Sequence, residues 1–136
     1  MRADVFTHRV RVGRFYWSGA DLEEGSRRKQ DQSSCFSIEA SSGASKQLGV
    51  NRGTTIVGRI RHFVEFTDGQ GTSYCYSRVR FFRPRATNVR SKYETVSTGD
   101  VFNDVFLPAA VLADATRVAL VPYGGLVAVC LVVPVI

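Results

Sequence analysis

Cysteine, histidine, lysine and tryptophan are scarce in this chain of 136 residues, which holds three, two, three and one of them. Cys35, Cys75 and Cys130 are odd in number and far apart. They match neither a disulfide framework nor a zinc-ligand spacing, so a reduced, intracellular setting is expected and no metal is implied. His8 and His62 are isolated, and Glu23-Glu24 and the scattered aspartates read as solvated loop residues. There is no Gly-x-Ser-x-Gly elbow, no Gly-rich phosphate loop ahead of a helix and no HExxH pair. The expectation is a protein that is not an enzyme and carries no cofactor.

Long hydrophobic runs are missing too. Residues 118–136 carry no charge, but Pro122, Tyr123, Gly124, Gly125 and Pro134 interrupt them. A bilayer span needs roughly 20 apolar residues, so this stretch reads as two buried strands joined by a Tyr-Gly-Gly turn, with no membrane partner. Residues 1–12 contain Arg2, Asp4, Arg9 and Arg11 and lack the apolar core of a secretory signal. Because the chain stops inside an apolar stretch, it reads as a single domain that fits excision from a longer polypeptide.

What is abundant is arginine. Of 18 basic residues 15 are Arg, and the net charge of +6 divides into +9 over residues 2–92 and −3 over residues 93–136. A guanidinium offers a planar fork and stacks on aromatic rings, which suits recognition of carboxylate or phosphate. With 44% hydrophobic and 22% charged residues, the chain holds one ordinary globular domain.

Hydrophobic periodicity predicts a mainly β fold. Residues 7–17 alternate at first, and Gly13 breaks the phase as a bulge or bend would. Residues 18–34 and 40–53 read as exposed connections, and 35–39 as a short strand. Residues 54–67 and 72–82 alternate on either side of Asp68-Gly69-Gln70-Gly71, the signature of a β-hairpin. On the first strand Ile56, Gly58, Ile60, His62, Val64 and Phe66 share one face, which makes His62 a core histidine. On the second strand Cys75, Val79 and Phe81 share a face with Ser73 and Ser77. Residues 93–96 read as a brief strand, 108–115 as the one short helix opened by Pro108, and 116–121 and 126–133 as closing strands. About seven short strands with one helix imply a small, partly open β-barrel.

The candidate binding face is the other side of the second hairpin strand, where Tyr74, Tyr76, Arg78, Arg80 and Phe82 alternate. Arg83, Arg85, Arg90 and Lys92 extend its charge, so residues 78–92 hold six basic residues and no acidic one. Such a face can stack bases and hold phosphates, grip an acidic peptide or enclose a methylated lysine. Equally, its aromatics can serve to cover a sheet while its arginines keep it soluble. A second candidate is Arg14-Phe15-Tyr16-Trp17 with Arg27-Arg28-Lys29, centred on Trp17.

Three segments carry a family resemblance. Ile56-Val57-Gly58-Arg59-Ile60 with Glu65 and the turn, Val79-Arg80-Phe81-Phe82-Arg83-Pro84, and Asp104-Val105-Phe106-Leu107-Pro108-Ala109-Ala110-Val111-Leu112 together resemble the bromo-adjacent homology (BAH) domain. The likeness spans residues 54–133 and is loosest at the closing strand, residues 128–133. It implies a β-rich chromatin reader, a nuclear location and a histone-tail peptide as partner. Phe82 matches an aromatic of the family's methyl-lysine readers, whereas Arg80 stands where they carry Trp or Tyr, and Arg85-Ala86 replaces the acidic residues that usually follow Arg-Pro. The Tyr16-Trp17-Ser18-Gly19 stretch is similar to accessory regions of DNA-transposon proteins. The expected function is therefore a non-catalytic module binding an acidic or modified peptide. DNA or RNA binding, or a structural role in a transposon or viral polypeptide, are the alternatives.

Overall fold

The structure is a computed structural model and describes residues 2–6, 10–20, 34–84, 94–122 and 129–135. It contains β1 (Arg2–Phe6), β2 (Val10–Val12), β3 (Phe15–Trp17), β4 (Cys35–Glu39), α1 (Ser42–Leu48), β5 (Thr55–Thr67), β6 (Ser73–Phe82), β7 (Thr95–Ser97), β8 (Val105–Pro108), a 3-10 helix (Ala109–Asp114), β9 (Thr116–Pro122) and β10 (Val129–Pro134). Seven strands run in the order β7-β10-β9-β4-β5-β6-β8, all antiparallel, and curl into a half-barrel. The mainly β, partly open architecture is thus the one the periodicity predicts. β1 joins the same sheet beside β5, and β2 with β3 forms a separate hairpin.

β5 organises the sheet. One of its edges pairs with β4 along Thr55 to Arg59 and with β1 along Phe63 to Thr67, and the other pairs with β6. The turn to β6 is fastened by Asp68, whose Oδ1 accepts from the amides of Gln70 (2.8 Å) and Thr72 (3.0 Å) while Gly71 takes φ +82°. The Thr72 amide, then that of Gln70, holds the Asp68 carboxyl below its ordinary range.

Between Ile60 and His62 the β5–β6 register shifts, leaving Arg61 as the extra residue. A bulge reverses the side-chain phase of everything beyond it. Ile56 and Ile60 face the main core, but past the bulge the core residue is Phe63. His62, Val64 and Phe66 turn to the opposite face, in register with Arg78, Tyr76 and Tyr74. The expected single even face of residues 54–67, and a core placement for His62, are corrected accordingly.

The main core holds Phe36, Ile56, Ile60, Phe63, Val79, Phe81, Leu107 and Leu112. Edge-on ring contacts link Phe15 to Trp17, Trp17 to Phe36 and Phe36 to Phe81, at 5.9, 6.1 and 5.8 Å. Trp17 is fully buried in this chain of rings, so it belongs to the core and not to a binding surface. The guanidinium of Arg117 lies over Phe15 (4.9 Å) and Trp17 (5.2 Å) and donates to the Tyr16 carbonyl, locking the β2–β3 hairpin onto the sheet. Gly13, at φ +62°, is the turn of that hairpin, so of the expected bulge or bend it is the bend. Arg27-Arg28-Lys29, His8 and the Tyr-Gly-Gly turn lie outside the described residues.

A smaller core occupies part of the opposite face, where Cys35, Val57 and Phe82 meet Val96, Val118 and Val132, with Cys130 packed alongside. These come from both ends of the strand order, so the smaller core is what the curl encloses. The expected connection 40–53 contains α1, whose SGASKQL sequence opens on the weak helix formers Ser42 and Gly43. Its ends are well set: the Ser41 hydroxyl accepts from the Ala44 amide, Gly49 closes the helix at φ +69°, and Ala44 and Leu48 pack into the main core. The helix expected at 108–115 is a 3-10 helix capped by Pro108. Among the described residues, no helix is long and apolar enough to cross a membrane.

The bulge also receives the chain leaving β3. Ala20 donates its amide to the Ile60 carbonyl (2.8 Å), and a Cβ on Gly19 would stand 2.5 Å from the Arg61 carbonyl oxygen. Gly19→Ala is expected to cost about 2 kcal/mol or more, since backbone faces backbone and cannot give way. Chemical denaturation of the variant and of Gly43→Ala, where a Cβ meets open space, measures the contrast.

Candidate functional site

Past the bulge, the outer face of β1, β5, β6 and β8 lies beyond the smaller core. Directly paired residues share a face. The registers therefore stack cross-strand rows there: Phe66 with Tyr74, then Val5, Val64, Tyr76 and Pro108, then His62, Arg78 and Phe106, then Arg59 and Arg80. Asp4, Glu65 and Cys75 fall on the other face. Burial, then the Glu65 carboxylate, raises the Cys75 thiol.

The centre of this outer face is Asp104, immediately before β8. Its Oδ2 accepts from Arg78 Nε at 2.9 Å and its Oδ1 from Arg80 Nε at 2.8 Å, while Arg61 Nη1 lies 3.9 Å from Oδ2. The Asp104 side chain is 10% exposed and those of Arg78 and Arg80 43%. Burial pushes the Asp104 carboxyl up, but hydrogen bonding and charge from Arg80, then Arg78, outweigh it and hold the carboxyl below its ordinary range. Each arginine uses its Nε edge on Asp104. Among the described residues, the Nη groups of Arg78 and Arg80 have no hydrogen-bond partner, so each fork is oriented by one carboxylate and open at its far edge. With Arg61, three guanidiniums surround this one carboxylate, and Arg59 lies in the adjoining row beside Arg80.

The aromatics on this face are committed to one another. Phe66 stacks with Tyr74 at 5.1 Å and with Tyr76 at 5.6 Å, within 24° of parallel, and the Tyr74 hydroxyl donates to Asp68. Parallel stacked rings cover each other's faces and do not form a cup. Phe82 is 3% exposed in the smaller core, with the Arg59 guanidinium 5.9 Å from its ring centre. It is therefore a packing residue and not the surface aromatic expected, because the curl brings β7, β9 and β10 over this end of β6.

Of the residues singled out from the sequence, Tyr74, Tyr76, Arg78 and Arg80 share the outer face. Arg83 sits past the end of β6, paired with Asp100 at 3.3 Å and stacked over Phe102 at 4.4 Å. Arg85, like Arg90 and Lys92, lies outside the described residues. Asp104, Arg59, Arg61 and Phe106 were not legible as site residues. Asp104 stands 26 and 24 residues from its two arginines, and the only signal was a lone acidic residue ahead of an apolar strand. Among the described residues, no three His, Cys, Asp or Glu side chains group as a metal site.

Asp104→Asn is expected to cost about 1 kcal/mol, because the arginines it pairs with are half exposed and solvent screens the loss. Since the folded carboxyl titrates below its unfolded value, its stabilisation is present above about pH 4 and fades as pH falls through the folded value. Acid titration of wild type and variant should therefore converge at low pH; a gap that stays constant down to full protonation contradicts the pairing.

No family model, curated protein or solved structure matches this chain.

Proposed function

We propose that this chain is a non-catalytic interaction module that binds an acidic peptide on the outer face of β5, β6 and β8. The observation that carries the reading is the pair Arg78 and Arg80, aligned by Asp104 with their Nη edges open. Aligning a guanidinium in advance removes part of the ordering cost of binding, and two forks side by side suit carboxylates on an extended chain. The resemblance to BAH domains supports a chromatin setting, a nuclear location and a histone-tail or other acidic protein segment as the partner. A caged methyl-lysine has less support, because Tyr74, Phe66 and Tyr76 are stacked together and Phe82 is buried.

A second reading, DNA or RNA binding, draws on Arg59 and Arg61 lying beside the pair and on the +9 excess over residues 2–92. It requires affinity that falls steeply with salt as phosphates are neutralised.

The test is titration of a short poly-glutamate peptide and of a single-stranded oligonucleotide into wild type and the double variant Arg78→Ala/Arg80→Ala. Peptide binding weakened about tenfold or more by the double variant is expected. Peptide binding that is absent, or unchanged by the variant, removes the proposal. Tighter oligonucleotide binding with a steep salt slope replaces it with the second reading.

A further inference from the structure

We infer that the partner carries an apolar side chain close to its acidic residues, seated on a partly exposed apolar row beside the arginines. The inference rests on the acidic-peptide reading above. Val5, Val64, Tyr76 and Pro108 are paired successively across β1, β5, β6 and β8, and so form one row over four strands. Phe106 lies in the next row, paired with Arg78, whose guanidinium sits 6.0 Å from its ring centre. Val5 is 65% exposed and Phe106 51%, the latter between buried Val105 and Leu107. Neither is needed for the main core, and together they make an apolar strip beside a cationic one.

Spacing and charge identify the occupant. Successive same-face residues on a strand are about 7 Å apart, so the row through Tyr76 is one step from Arg78 and two from Arg80. An extended peptide crosses those distances in about two and four residues. A carboxylate two to four residues from an aromatic or branched side chain therefore meets a guanidinium while its neighbour covers the strip. A second copy of this chain fits poorly, because apposing two such faces brings arginine cluster onto arginine cluster.

Three labelled peptides of equal length and equal Asp content provide the test. One has a phenylalanine two to four residues from the aspartates, one has it moved to the far end, and one has none. Wild type is expected to bind the near-spaced peptide about tenfold tighter than the other two. Phe106→Ser or, where the side chain seats at the β1 end of the row, Val5→Thr should erase that advantage and leave the phenylalanine-free peptide within about twofold of wild type. Circular dichroism and a melting curve accompany both variants, and two exposed positions guard against one failing to fold. Equal binding of the three peptides to wild type, or an advantage retained in both folded variants, overturns the inference and leaves the acidic-peptide reading intact. If no peptide binds, the acidic-peptide reading itself fails. Self-association of wild type that Phe106→Ser abolishes also overturns the inference, since the strip is then an interface between copies.

Discussion

At Arg61, β5 holds one residue more than the strand opposite it, and nearly every later feature of the molecule follows from that mismatch. Before it, Ile56 and Ile60 point into the main core while Val57 supplies the smaller one. After it, Phe63 takes over the main core, and His62, Val64 and Phe66 are released to the outer face to line up with Arg78, Tyr76 and Tyr74. Were β5 regular through Arg61, with every residue alternating, Phe63 would face solvent and His62 the core. The cost of that exchange fixes the register, because one slipped position would invert a whole face. The Ile60 carbonyl at the same point accepts the Ala20 amide, so the irregular step in the ladder is also where the preceding chain is anchored.

Two cores on opposite faces of one sheet leave only part of the outer face for anything else. The smaller core takes one end, where Phe82 and Val57 lie beneath the returning strands, and the arginine cluster begins one row beyond, at Arg59 and Arg80. Arg59 bridges the two regions by lying over the Phe82 ring. Asp104 completes the boundary: a carboxylate mostly withdrawn from water is tolerable there because Arg78 and Arg80 satisfy both of its oxygens. The same contacts hold two long, otherwise floppy side chains in one arrangement.

Alternation along β6 was legible because its two faces differ in chemistry, with small and apolar residues on one and rings and guanidiniums on the other. β5 was not, because Val57, Phe63, Val64 and Phe66 place apolar residues on both faces, and a period-two pattern then fits either phase. The helix at Ser42–Leu48 was hidden by its two-turn length and by Ser42, Gly43 and Ser45, which read as loop, although Ser41 and Gly49 were present as end signals. Trp17 and Phe82 misled for one shared reason. An aromatic next to charged residues reads as surface, yet both are covered by segments distant in the chain, through the Arg117 stack and the curl of β7 and β10. Local patterns describe a strand's two faces; only long-range pairing decides which of them stays wet.

β5 has one partner joined to it by a tight turn and two that must arrive from elsewhere. The β5–β6 pairing closes through five residues, whereas β4 also depends on β9, some eighty residues further along, through only two paired positions. Contacts close in sequence form with little loss of chain entropy, and distant ones form late. The hairpin that carries Tyr74, Tyr76, Arg78 and Arg80 is therefore expected to form early, and the docking of β9, with β10 and β7 behind it, onto β4 is expected to form last and open first. Hydrogen exchange should accordingly be slowest along the hairpin and fastest in β7, so that the outer surface of β6 persists in states where the half-barrel has already come undone.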